Sequence, residues 1–350
     1  MQQSGILGLE PMELVAAAFS TPLFSLVIAL LVAAGILLLA SRRALEDRAP
    51  AQLSGAAGRA VRARYLPELR GLGIAAIAVI ALFAIENVVR GYLLDLPGLF
   101  SWWRYAVPLF CALVGMSVVL GLVVLRGTRP SETPVVPATR RTWVSFSPRP
   151  DVVGAGVVLL ALSATTAAAG LSSSADSRGR YVWLEIPVPN EAAIDPIRLS
   201  FYGWAYGVPV LICLAALSIA TWAVLHRNAA RPYIRPETVV VERDARRDIA
   251  IGAVRIATAS MLLALAGAWR LIADAGSVSH LVIDGQNGGD PYDAAWRYAE
   301  LAVAAGWFAP VLEITAFVLL LIVALRRCRR PAAESSLEPT KVTAATEAVL

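Results

Sequence analysis

The chain has 350 residues, of which 57% are hydrophobic and only 16% charged, with a mean hydropathy of +0.64. Soluble domains carry about 25% charge, so the composition excludes an ordinary water-soluble domain and points to lipid as the solvent. The formal net charge of +5 comes from arginines beside apolar runs, where membrane topology accounts for them and nucleic-acid binding does not.

A membrane span needs roughly 20 apolar residues. Seven runs qualify, at about 20–40, 71–94, 104–125, 152–171, 204–225, 249–273 and 301–325. The expected fold is therefore all-α: a polytopic transmembrane bundle forming one domain over 1–331, with a disordered tail over 332–350. The first run has no basic residue before it and follows Glu10 and Glu13. It reads as a retained helix rather than a signal peptide, which needs a positive leader.

Arginine placement sets the expected orientation. Alternate segments (41–70, 126–150, 226–248 and the tail from Arg326) hold 23 basic residues, and the opposite set holds five: Arg104, Arg178, Arg180, Arg198 and Arg297. The positive-inside rule then puts the N-terminus outside and the C-terminus in the cytoplasm. Lys341 is the only lysine, and this arginine usage suggests a bacterial source and a plasma membrane.

The loops differ in kind. Trp102 and Trp103 read as interface anchors. Tyr181–Pro189 alternates as a short extended piece bounded by prolines. Asp284–Pro291 is a dense turn signal without the acidic spacing of a calcium loop. It is followed by an expected interfacial helix through Trp296 and Tyr298. On the other side, 59–69 reads as a short amphipathic helix, and Val239–Val241 as a piece too short to form a domain.

An echo runs through the chain. Phe100-Ser-Trp-Trp-Arg-Tyr-Ala-Val-Pro108 returns as Phe201-Tyr-Gly-Trp-Ala-Tyr-Gly-Val-Pro209 at a shift of 101 residues, and Pro310 follows at the same shift. The inner ends also match, at Arg126–Pro130, Arg227–Pro232 and Arg326–Pro331. The expectation is one leading helix plus three tandem hairpins, repeated over 71–130, 152–232 and 249–331. The layout resembles that of mitochondrial carriers. Their Pro-x-acidic-x-x-basic motif would require acids at Phe110, Leu211 and Leu312, so the resemblance is of layout only.

Three scattered cysteines and two histidines, His226 and His280, offer no metal pattern and no facing haem ligands. The last helix has no lysine to carry retinal. Nucleophile elbows, zinc-protease motifs and phosphate loops are all missing, and no metal or cofactor is expected.

Charges inside a bilayer cost about 2.5–3.5 kcal/mol or more each, so those in the spans are the candidate site residues. Glu313 lies near the middle of the seventh helix. The spacing suggests that it meets small hydroxyls (Ser163, Thr165, Thr166, Thr258 or Ser260) or stays protonated. Glu86, Asn87 and Arg90 lie in the outer third of the second helix, with Glu86 and Arg90 at i,i+4. Arg270 and Asp274 form a like pair on the sixth helix, and the two pairs could meet in one outward cluster. Arg255 and Arg270 are also placed to snorkel toward headgroups. The expected function is a small transporter or permease-like protein using these groups. The alternative is a non-catalytic partner or assembly subunit binding proteins through its arginine-rich loops. A membrane-embedded enzyme acting on lipid-linked substrates ranks third.

Overall fold

Each apolar run becomes one helix. The computed structural model describes residues 21–46, 56–88, 101–126, 142–188, 196–233, 236–281 and 291–326. Its helices are α1 (Pro22–Glu46), α2 (Ala56–Val88), α3 (Val107–Arg126), α4 (Arg149–Leu171), α5 (Trp204–Ala230), α6 (Val239–Gly276) and α7 (Ala299–Arg326). All seven contain a stretch long and apolar enough to cross a membrane. The chain is thus a multi-pass membrane protein built as an all-α bundle.

Consecutive helices pack as antiparallel neighbours: α2 on α3, α4 on α5, and α6 on α7, with α1 set against α7. Small residues permit these close approaches, as is usual where lipid supplies no hydrophobic drive between helices. A Cβ added at Gly115 would lie 2.5 Å from the Cβ of Ala75, and one at Gly276 would lie 2.6 Å from that of Ala302. The three echoed prolines enter their helices at different points. Pro108 directly follows the first residue of α3, while Pro209 and Pro310 lie about one and a half and three turns inside α5 and α7.

Helix α6 is the centre of the bundle. It packs against α2, α3, α4, α5 and α7. In its most apolar stretch 83% of residues are buried, against 17–39% in the other six helices. Its 38 residues run for about 57 Å at 1.5 Å per residue, well beyond a hydrocarbon core of about 30 Å. Val239–Val241 is therefore the first turn of a long helix and not an isolated piece. Likewise 59–69 is no separate surface helix but the start of the continuous α2.

Short strands cap one end. β1 (Ser174–Ala175), β2 (Tyr181–Ile186) and β3 (Ile197–Ser200) form an antiparallel sheet in that order, so the extended reading of Tyr181–Pro189 holds over β2. β4 (His280–Leu281) pairs with β5 (Tyr292–Asp293). The rings of Phe201 and Trp296, 5.6 Å apart, bring the two loops together. In place of the expected interfacial helix, Arg297 and Tyr298 form a turn that leads into α7. The Asp284–Asp290 turn and the 332–350 tail lie outside the described residues.

The β1–β2 connection is fixed locally. Asp176 accepts the backbone N–H groups of Arg178 (2.9 Å) and Arg180 (2.8 Å) and the Arg180 Nε–H (2.8 Å). Gly179 takes φ +75° there, a conformation that costs little without a Cβ. The Arg180 backbone N–H, aided by its guanidinium, holds the Asp176 carboxyl below its usual range. Beneath the sheet, Tyr105 meets Tyr202 and Tyr206 edge-on at 5.3 and 5.2 Å. Tyr202 shares a 3.4 Å hydrogen bond with Thr166, and burial pushes its phenol above the ordinary value.

Candidate functional site

Among the described residues two buried clusters join acids to arginines, and α6 contributes to both. The first surrounds Glu313, which is 1% exposed. Arg270 grips it with a two-pronged fork: Nε donates to Oε1 and Nη2 to Oε2, each at 2.7 Å. Ser25 on α1 donates to Oε2 at 2.8 Å and is itself fully buried. One carboxylate thereby joins α1, α6 and α7. Bidentate, charge-assisted bonds are the strong form of this contact.

This arrangement corrects the sequence expectation for both residues. Glu313 is not left to the small hydroxyls expected for it but takes Arg270 and Ser25, and Arg270 does not turn away from the bundle. Of the hydroxyls proposed for Glu313, Thr258 and Ser260 donate to carbonyls of their own helix. Thr165 accepts the Trp269 Nε1–H at 3.2 Å, and Thr166 meets Tyr202. The reason lies in the α6–α7 register. Gly276 sits against Ala302 and Ala273 against Gly306, which puts Arg270 about one helical turn short of Glu313. An arginine stem spans the remaining distance of about 6 Å along the axis.

The other expected members of the outward cluster differ in their surroundings. Asp274 is exposed and feels the positive charges of Arg270 and Arg104. Asn87 donates to the Phe83 carbonyl of its own helix at 2.8 Å. Glu86 is partly buried, and Arg90 lies outside the described residues. Arg255 does not simply snorkel: its Nε is 3.4 Å from Asp151 Oδ2 on α4.

Sequence reasoning missed the second cluster, at the arginine-rich end. Glu68 on α2 is fully buried and receives Arg231 Nη1 at 3.1 Å and Nη2 at 2.6 Å. Arg231 Nη2 also donates to the Val123 carbonyl at the end of α3, at 2.7 Å. Beside this pair Arg246, fully buried on α6, donates to Glu242 (3.2 Å), to the Tyr65 hydroxyl (3.2 Å), and to the carbonyls of Arg231 (2.7 Å) and Pro232 (2.9 Å). Tyr65 and Thr238 donate in turn to Glu242, at 3.2 and 2.9 Å. Asn228 donates to the Arg246 carbonyl at 2.9 Å, and the Tyr233 ring lies 4.3 Å from the guanidinium carbon. The network binds α2, α3, α5 and α6 where the chain turns.

One sequence signal was available. Glu242 and Arg246 stand at i,i+4, the spacing of a helical ion pair. Within an arginine-rich segment they counted only as topology charges.

Chemically, both clusters are fixed acid–arginine pairs with supporting donors and acceptors. Among the described residues no three of His, Cys, Asp and Glu gather to hold a metal. No protein-family model, no curated protein and no solved structure matches the chain.

Proposed function

We propose that this protein is a non-catalytic partner or assembly subunit of a membrane complex, and not the small transporter that the sequence first suggests. The observation that carries the reading is the hold on Glu313. A proton- or cation-coupled carrier needs a carboxylate that can bind and release its ion. Here both oxygens of the best-placed one are occupied by Arg270 and Ser25. Breaking such a buried pair costs about 3–5 kcal/mol, a heavy toll for every cycle. Arg243 and Arg247, exposed on one face of α6, are the surface offered to a protein partner at the arginine-rich end.

The carrier reading stands second, favoured by the 19% of the Arg270 side chain that other residues leave uncovered. Purification of the full-length protein from native membranes separates the two. A partner protein retained in fixed stoichiometry, and lost on Arg243→Glu with Arg247→Glu, is the expected result. A lone protein whose proteoliposomes carry a proton flux abolished by Glu313→Gln would overturn it.

Three further readings belong to this proposal. The membrane is a bacterial plasma membrane, as the arginine usage suggests, with the bilayer itself and protein partners as the chain's contacts. The N-terminus is outside and the C-terminus cytoplasmic, from the 23-to-5 split of basic residues. Reporter fusions after Leu350 and within 172–203 test this orientation. The 71–130, 152–232 and 249–331 segments are repeats, a reading that rests on the echoed stretches Phe100–Pro108 and Phe201–Pro209. Superposition of those segments with Pro108, Pro209 and Pro310 aligned is its test.

A further inference from the structure

Among the described residues three guanidinium groups gather around the Tyr65 ring, against two carboxylates. Arg231 lies 5.6 Å from the ring centroid and is matched by Glu68. Arg246 donates to the ring hydroxyl and is matched by Glu242. Arg64 is the third, with its guanidinium carbon 5.7 Å from the same centroid. Its Nε, Nη1 and Nη2 are all out of reach of solvent, and none has a hydrogen-bond acceptor among the described residues.

A guanidinium carries five N–H donors and cannot lose its charge. Buried without acceptors it is costly, and removal of one partner from a buried pair is strongly destabilising for the same reason. The donor count and the charge count at Tyr65 are thus short of the same thing, an anion with several oxygens. Position narrows the class. Arg64 is the second residue of the α2 span, Ala63–Val88, and therefore stands where apolar helix gives way to the headgroup layer. Phosphate groups are concentrated there, and the planar fork of arginine matches phosphate oxygens two at a time.

We propose that Arg64 is the anchor of a phosphate-binding site at the arginine-rich end, filled by the phosphate of a lipid headgroup or by free phosphate. The anion replaces the acceptor-poor packing over the guanidinium and brings the charge around Tyr65 into balance. Occupancy then steadies the junction of α2 with α5 and α6, because Tyr65 already bonds Glu242 and Arg246.

Thermal unfolding of the full-length protein in a maltoside detergent tests the site. Ligand that binds only the folded form raises Tm. Phosphatidylglycerol should raise it by a few degrees, and diacylglycerol, with the same chains and no phosphate, should not. A rise with inorganic phosphate alone assigns the free ion as a source, and a rise with the lipid only assigns the headgroup. Arg64→Gln should abolish the shift while leaving the ligand-free Tm unchanged or higher, because an uncompensated charge has gone. If that variant does not fold, Arg64→Lys, which keeps the charge and loses the fork, should at least halve the shift. No rise with either phosphate source would overturn the site. So would an equal rise in the variant, or a lower ligand-free Tm in folded Arg64→Gln, which would mean that Arg64 already has a structural partner.

Discussion

The two buried clusters use the same ion pair in opposite ways. At Glu313 a single carboxylate is held by one arginine and one hydroxyl, deep among apolar residues. At Tyr65 two pairs share a network in which further arginine donors reach the backbone carbonyls of Val123, Arg231 and Pro232. Those carbonyls are free to accept because they lie at or beyond helix ends, where the last C=O groups lack helical partners. The comparison shows what a helix end can provide that mid-bilayer cannot. Where the backbone turns, Arg231 and Arg246 add carbonyl acceptors to their carboxylates, whereas in mid-span Arg270 is held by a carboxylate on a neighbouring helix.

The difference yields a ranking of effects. The largest should follow Arg246→Leu, which strips partners from Glu242, Tyr65 and two carbonyls at once; a loss of about 3–5 kcal/mol is expected. Unfolding in mixed micelles measures it, and a loss as small as that of a surface change would break the comparison. Glu313→Leu comes next. It leaves Arg270 without its carboxylate but strips fewer partners at once than Arg246→Leu, so the expected cost is lower, about 2–3 kcal/mol. A larger loss than for Arg246→Leu would reverse the ranking.

A packing change sharpens the contrast between charge and shape. Gly115→Ala puts a methyl 2.5 Å from Ala75 and should cost about 1–3 kcal/mol through the α2–α3 contact. The Arg246 network should stay intact, as a double-mutant cycle would show by additivity. Ser25→Ala removes one hydrogen bond and should cost about 1 kcal/mol. The effect should be confined to α1, read as faster proteolysis or exchange there and unchanged protection of α6.

The smallest effect is a pH dependence outside the membrane. The Asp176 carboxyl has a lowered pKa in the folded turn. Its stabilisation is present above the unfolded value of about 3.9 and is lost as pH falls through the lower folded value. Amide exchange at Gly179 and Arg180 should therefore accelerate only in acid below about pH 4. Acceleration at neutral pH would show that the carboxylate does not hold the turn.

The helices were legible because twenty-residue apolar runs have few other ways to satisfy their backbone in lipid. β2 was legible from its alternation and bounding prolines. The starts of α2 and α6 were not. Arg59–Leu69 carries so many charges that it reads as a separate surface helix and Val239–Arg247 as loop, and only Tyr65 and the Arg231–Pro232 segment after α5 explain how Glu68, Glu242 and Arg246 are buried. Arg270 with Glu313 was half legible. Both residues stood out as intramembrane charges, but their meeting depends on the α6–α7 register, which is set by Gly276, Gly306 and their alanine neighbours. A single sequence does not display that register.

The central claim is that the Arg270–Glu313 pair is structural, and removing both charges tests it most directly. Replacing a buried ion pair by apolar residues of similar size is often neutral, so Arg270→Met with Glu313→Leu should recover most of the stability lost in Glu313→Leu alone. The account predicts that this double variant keeps the same partner complex and the same proteoliposome proton permeability as the unmodified protein. A double variant that folds normally but loses a flux present in the unmodified protein would contradict it and assign the pair to transport.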